Sequence, residues 1–153
     1  MAVRYSTGTL NKLLGSQDLR AQFTNCVIDI YSGAQPVDAD SAVTGTKLAQ
    51  VTLAGGAFTE GSPTNGLNFD APVGKVLSKA VAETWQYAGL AAGTAGWFRL
   101  RGNAVDSGAA STTLPRIDGS ISGATGSGDM KLSNLTVAVG SPGTIDTFTI
   151  TLS

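Results

Sequence analysis

The sequence predicts an all-β protein: an antiparallel β-sandwich or jelly roll of about eight short strands, with a short N-terminal helical segment. Three observations point there. Apolar residues alternate at period two in several separated stretches. Turn signals built on Gly, Pro, Asn and Asp recur between those stretches. Small residues abound, and 20 of the 153 residues are glycine, a bias that disfavours long helices. Hydrophobic residues still make up 42%, enough apolar surface for the chain to fold rather than remain disordered. A single domain over residues 1–153 is expected, with 1–24 an arm or lid and 25–153 the β-core.

Helical signals are confined to the start. Thr9 is placed to cap "LNKLLG", where Leu10, Leu13 and Leu14 share a face and Gly15 terminates the turn. Ser16 is placed to cap "QDLRAQF", with Leu19 and Phe23 at i, i+4. A helix of barely two turns is not stable alone. Its leucines therefore need cover, either from the β-core, as a lid, or from a neighbouring subunit, as a docking arm.

The period then changes to two. "CVIDIYSGAQP" puts Cys26, Ile28 and Ile30 on one face and closes in a Gly–Pro turn. "KLAQVTL" alternates through Ala49, Val51 and Leu53, and "LNFDAPVGKVLSKAVAE" holds a short strand with a bend. "ETWQYA" and "GWFRLRG" flank a Gly/Ala connection, so Glu83 to Arg101 reads as a hairpin with a long loop. "TTLPRIDGSIS" reads as an edge strand, because Pro115 has no amide to donate. "MKLSNLTVAV" follows a turn, and "TIDTFTITL" closes the chain with Phe148, Ile150 and Leu152 alternating against threonines. The expected core is Ile28, Ile30, Val51, Phe98, Leu100, Phe148, Ile150 and Leu152.

Composition narrows the function. Histidine is absent, which removes the usual general base and the commonest metal ligand. A single cysteine, Cys26, excludes an intrachain disulfide and a thiolate metal cluster, and its apolar neighbours mark it as a small buried residue. Lys and Arg number 10 against 11 Asp and Glu, so no basic excess suits nucleic acid. No run is apolar enough for a membrane span, and "MAVRYSTGTL" has no signal-peptide core. The expectations are no enzymatic activity, no cofactor, no metal, no nucleic-acid or membrane partner, and synthesis in a reducing cytoplasm. "GATGSG" has the composition of a phosphate loop without its Lys-Ser/Thr ending, so it reads as a turn. Asp38 and Asp40 lie in a loop with no calcium-binding frame.

The one stretch with a binding character is Gly96 to Gly102. As a strand it sends Phe98 and Leu100 to one face and Trp97, Arg99 and Arg101 to the other. Arginine stems can simply cover a sheet. Alternatively Trp and Arg, the residues most enriched in interface hot spots, grip a protein partner. Two further classes stay open: a carbohydrate platform of Trp85, Tyr87 and Trp97, or a hydrolase drawing on Asp106 and Asp118.

Taken together, "STGTLNKLLG", "VIDIYSGAQP", "AGTAGWFRLRG", "RIDGSIS" and "GSGDMKLSNLTVAVGSPGTIDTFTITL" resemble the small structural proteins of tailed-phage virions. The resemblance spreads over most of the chain through loose pieces. It implies a virion structural protein: a capsid decoration (cement) protein contacting the major capsid protein, or else a tail, collar or fibre component. Homo-oligomerisation is expected. Trp97, Arg99, Arg101, Leu10, Leu13 and Leu14 are the candidate contact residues, and no catalytic residues come with the resemblance.

Overall fold

Ser6, rather than Thr9, opens the first helix. In the computed structural model, which describes residues 3–153, the Ser6 hydroxyl accepts from the Thr9 amide at 3.1 Å and caps α1 (Thr7–Gly15). A two-residue strand, β1 (Arg4–Tyr5), lies just before it. Thr9 turns inward, and its hydroxyl donates to the Arg116 carbonyl at 3.0 Å. Asp18, not Ser16, caps α2 (Leu19–Gln22) through the Ala21 amide at 2.8 Å. A cap needs an extended backbone as well as a side-chain oxygen, and Ser6 and Asp18 have it.

The strands that follow are β2 (Val27–Ser32), β3 (Lys47–Leu53), β4 (Val76–Ser78), β5 (Trp85–Ala88) and β6 (Gly93–Arg101). Then come β7 (Arg116–Ser122), β8 (Met130–Lys131), β9 (Thr136–Val137), β10 (Pro142–Ile145) and β11 (Thr149–Thr151). Nine of them form one sheet with the path β1-β7-β6-β2-β3-β5-β10, in which β8 joins β7 and β9 joins β6. Every pair in it is antiparallel except β7 with β8. β4 and β11 form a separate antiparallel ribbon. The fold is all-β, as the period-two pattern predicts.

The ribbon lies on the apolar face of the large sheet. Phe148, just before β11, meets Phe98 of β6 edge-on at 5.5 Å between ring centres. Ile28, Ile30, Val51, Phe98, Leu100, Phe148 and Ile150 are buried in one cluster, as expected. Leu152 is not. It lies beyond the last paired residue of β11 and stays 36% exposed.

Four strand assignments need correction. Glu83 to Arg101 is no hairpin, because β5 pairs with β3 and β10, and β2 and β3 stand between it and β6. β7 is not an edge strand: Pro115 sits one residue before it, so its missing amide falls outside the ladder that β7 makes with β6. "MKLSNLTVAV" is broken into the two-residue β8 and β9. "TIDTFTITL" is split between β10 in the large sheet and β11 in the ribbon, with Asp146 to Phe148 crossing between the layers.

Helix α1 is seated on β7 by its N-terminal half. Ser6 donates to the Leu114 carbonyl at 2.8 Å, and the Arg116 amide donates to both Ser6 and Thr9 hydroxyls. Gly8 approaches so closely that an added Cβ would lie 2.5 Å from the Thr113 backbone. The carboxylate of Asp40 accepts from the Thr7 amide and hydroxyl, a favourable charge for a helix N-terminus. In this structure the N-terminal half of the helix lies on the chain's own β-core, while Leu10 and Leu14 stay exposed.

Candidate functional site

Trp97, Arg99 and Arg101 do share one face of β6, opposite Phe98 and Leu100. The register then lines up chemistry from the flanking strands. β2 sets Tyr31 beside Trp97 and Asp29 beside Arg99, while β7 sets Asp118 beside Arg99 and Arg116 beside Arg101. β3 adds Gln50 beside Asp29. The large sheet therefore has one apolar face and one face carrying a row of arginines and aspartates.

The row is closed into ion pairs. Arg99 holds Asp118 through two parallel bonds of 2.7 Å, the fork geometry that makes Arg–carboxylate pairs strong. Arg116 holds Asp106 in the same way, at 2.7 and 2.5 Å. Arg101 reaches Asp29 at 2.8 Å and Glu60 at 2.6 Å. Asp29 also takes Lys47 at 3.0 Å and the Gln50 amide at 2.8 Å. Tyr31 stacks on Trp97 at 4.6 Å between ring centres, and Arg99 lies over the same indole.

What these groups grip is the chain itself. Glu60 and Asp106 belong to the loops after β3 and β6. Arg99 also donates to the Ser41 carbonyl, Arg116 to those of Ala39 and Ala109, and Arg4 to that of Pro36. These guanidiniums thus staple the loops 33–46, 54–66 and 102–115 over the polar face. The loops 33–46 and 102–115 are also joined to each other, through Val43 N–H to the Gly108 carbonyl and Ser111 N–H to that of Asp40. Trp97, Arg99 and Arg101 are all buried, with Arg99 1% exposed. The expectation that they meet a partner protein is corrected: the face assignment holds, but irregular loops already cover the face.

Burial is the largest influence on Asp106 and Asp118, and the two respond in opposite directions. Burial pushes Asp106 up, but its bonds from Arg116 and the Gly108 amide outweigh that and hold its carboxyl below the ordinary value. For Asp118 burial prevails over the bonds and charge of Arg99, and its carboxyl sits above the ordinary value. A lowered carboxylate contributes stability that is complete above the unfolded value, about pH 4, and is lost as pH falls through the folded one. The stability gap between wild type and Asp106→Asn, read from urea unfolding at about pH 6 and about pH 3, should therefore narrow in acid. The comparison cancels the opposite contribution of Asp118, and a gap that widened in acid would contradict it.

The rival sites lose their geometry. Trp85, Tyr87 and Trp97 are buried and offer no stacking platform. The Trp85 indole donates to Glu83 at 2.8 Å. Asp106 and Asp118 do not converge on a pocket, since each is forked to its own arginine. Cys26 is buried as expected, with burial raising its thiol.

The leucines of α1 part company. Leu13 packs against the core. Leu10 is 44% and Leu14 87% exposed. Leu13 also borders an open apolar groove of about 410 Å³, formed with Leu19, Leu77, Ile150 and Leu152. Its rim carries Asp18, Arg20 and Lys75. This corner, where α1, α2 and the ribbon meet, combines solvent access with apolar character. Sequence spacing placed the leucines on one face; which of them the core would take depended on the seating at Gly8 and Ser6. Compared with known proteins, the chain matches no family model, no curated protein and no solved structure.

Proposed function

We propose that the chain is a non-enzymatic structural subunit of a phage virion, a decoration protein that stabilises contacts between major capsid subunits. The observation carrying this reading is the exposure of Leu10 and Leu14 on α1, the helix whose Leu13 borders an open apolar groove. Scattered exposed apolar residues are ordinary, whereas two exposed leucines one turn apart, on a helix that also borders an apolar groove, mark an interaction surface. The resemblance of the sequence to small virion proteins supports the same reading.

The variant Leu10→Ser/Leu14→Ser tests it. Both side chains are outside the core, so thermal stability should change by no more than about 0.5 kcal/mol. Association with assembled major-capsid shells, measured by co-sedimentation, should fall at least about tenfold, as for loss of paired interface anchors. Undiminished binding would refute the surface assigned. Particle images showing copies only at the tail would favour the tail or collar alternative.

A further inference from the structure

We propose that two copies of this chain associate through the free edge of β11, as an antiparallel β-pair about a two-fold axis. The inference concerns the isolated protein and does not depend on the virion reading.

β4 is bonded on both sides. One edge meets β11, and the other meets the segment before it, through Asp70 N–H to Ser78 and the Ala80 N–H to Asn68. β11 has β4 as its one neighbour among the described strands. Lys79 N–H donates to Phe148 and Leu152 N–H to Lys75. Main-chain groups alternate sides along a strand, so those of Phe148, Ile150 and Leu152 face β4. Those of Thr149 and Thr151 face outward, with exposed side chains.

Other edges of the structure are blunted. β10, at one end of the large sheet, carries Pro142 on its open side and lacks that donor. β1, at the other end, is two residues long. β11 carries no proline, charge or bulge, the devices that usually protect an edge.

A second copy fits this edge better than an arbitrary strand does, because the segment is complementary to itself. Antiparallel pairing centred on Ile150 sets Thr149 of each copy against Thr151 of the other. Each such pair exchanges both N–H···O bonds, and threonines face threonines on the outer side, a favourable cross-strand pair. The same register places Leu152 of one copy across from Phe148 of the other on the inner side. That covers the one expected core residue that a single chain leaves exposed, and the contact is isologous, as a two-fold requires.

Sedimentation velocity over about 10–500 µM tests this, the range in which so short an interface would associate. The wild type should shift from monomer to dimer. Thr151→Pro removes an outward donor that β4 does not use, an edge position where proline is tolerated. It should weaken the dimer at least about tenfold while leaving the fold intact. If it perturbs the circular dichroism spectrum, Thr149→Lys/Thr151→Lys decides, since it keeps every donor but opposes like charges across the axis. Hydrogen exchange adds a local readout: the Thr149 and Thr151 amides should slow as concentration rises, and Ile150 should be protected throughout. A wild type that stays monomeric, a dimer that both variants leave intact, or a dimer with freely exchanging Thr149 and Thr151 amides would each overturn the proposal.

Discussion

Asp118→Ala is expected to lower folding stability by about 3–5 kcal/mol, because it strands the Arg99 guanidinium in the interior without its counter-charge. Neither side chain reaches water, so solvent cannot replace the lost carboxylate. The same physics makes the pair itself nearly neutral, since desolvating two charges offsets most of their attraction. Arg99→Met/Asp118→Leu should therefore recover most of the loss, within about 1–2 kcal/mol of wild type. Urea unfolding of the two single variants and the double variant measures the coupling. A double variant whose loss equals the sum of the two singles would show that the guanidinium and carboxylate do not act together. Because Arg99 also bonds the Ser41 carbonyl, amides of the loop 33–46 should lose exchange protection in Asp118→Ala.

Trp97→Ala should cost about 3–5 kcal/mol, the range for emptying a large buried aromatic site. The indole is fully buried, and it carries the stack with Tyr31 and the guanidinium of Arg99. Among the described residues its N–H has no bonding partner, so Trp97→Phe leaves no acceptor orphaned and should cost well under half as much. Urea denaturation distinguishes the two variants. Equal losses would mean that the polar edge of the indole, rather than its area, stabilises this face.

The sequence carried the alternation of β6 plainly, since Phe98 and Leu100 and then Trp97, Arg99 and Arg101 do fall on opposite faces. It did not carry what covers the second face. That depends on Glu60, Asp106 and the carbonyls of Ala39, Ser41 and Ala109, which sit in Gly-, Ala- and Ser-rich loops with no periodicity to read. An arginine that bonds a loop carbonyl leaves no mark on the loop's sequence. The same limit explains β7, where the ladder begins one residue after Pro115. It also explains the closing stretch, whose regular alternation continues across the crossing at Asp146 to Phe148 although the hydrogen bonds change layer. Alternation reports which side chains go inward. It does not report which strand lies alongside.

The seating of α1 on β7 sets a timetable for synthesis. Ser6 bonds to Arg116 across 110 residues of chain, and the ribosome adds roughly 5–20 residues per second. On that scale the docking strand is made about 5–20 s after the helix that needs it. Throughout this interval Leu13 has no complete β-core to receive it, in a segment too short to hold a helix alone. A helix made well before its docking strand is thus among the later elements to be put in place.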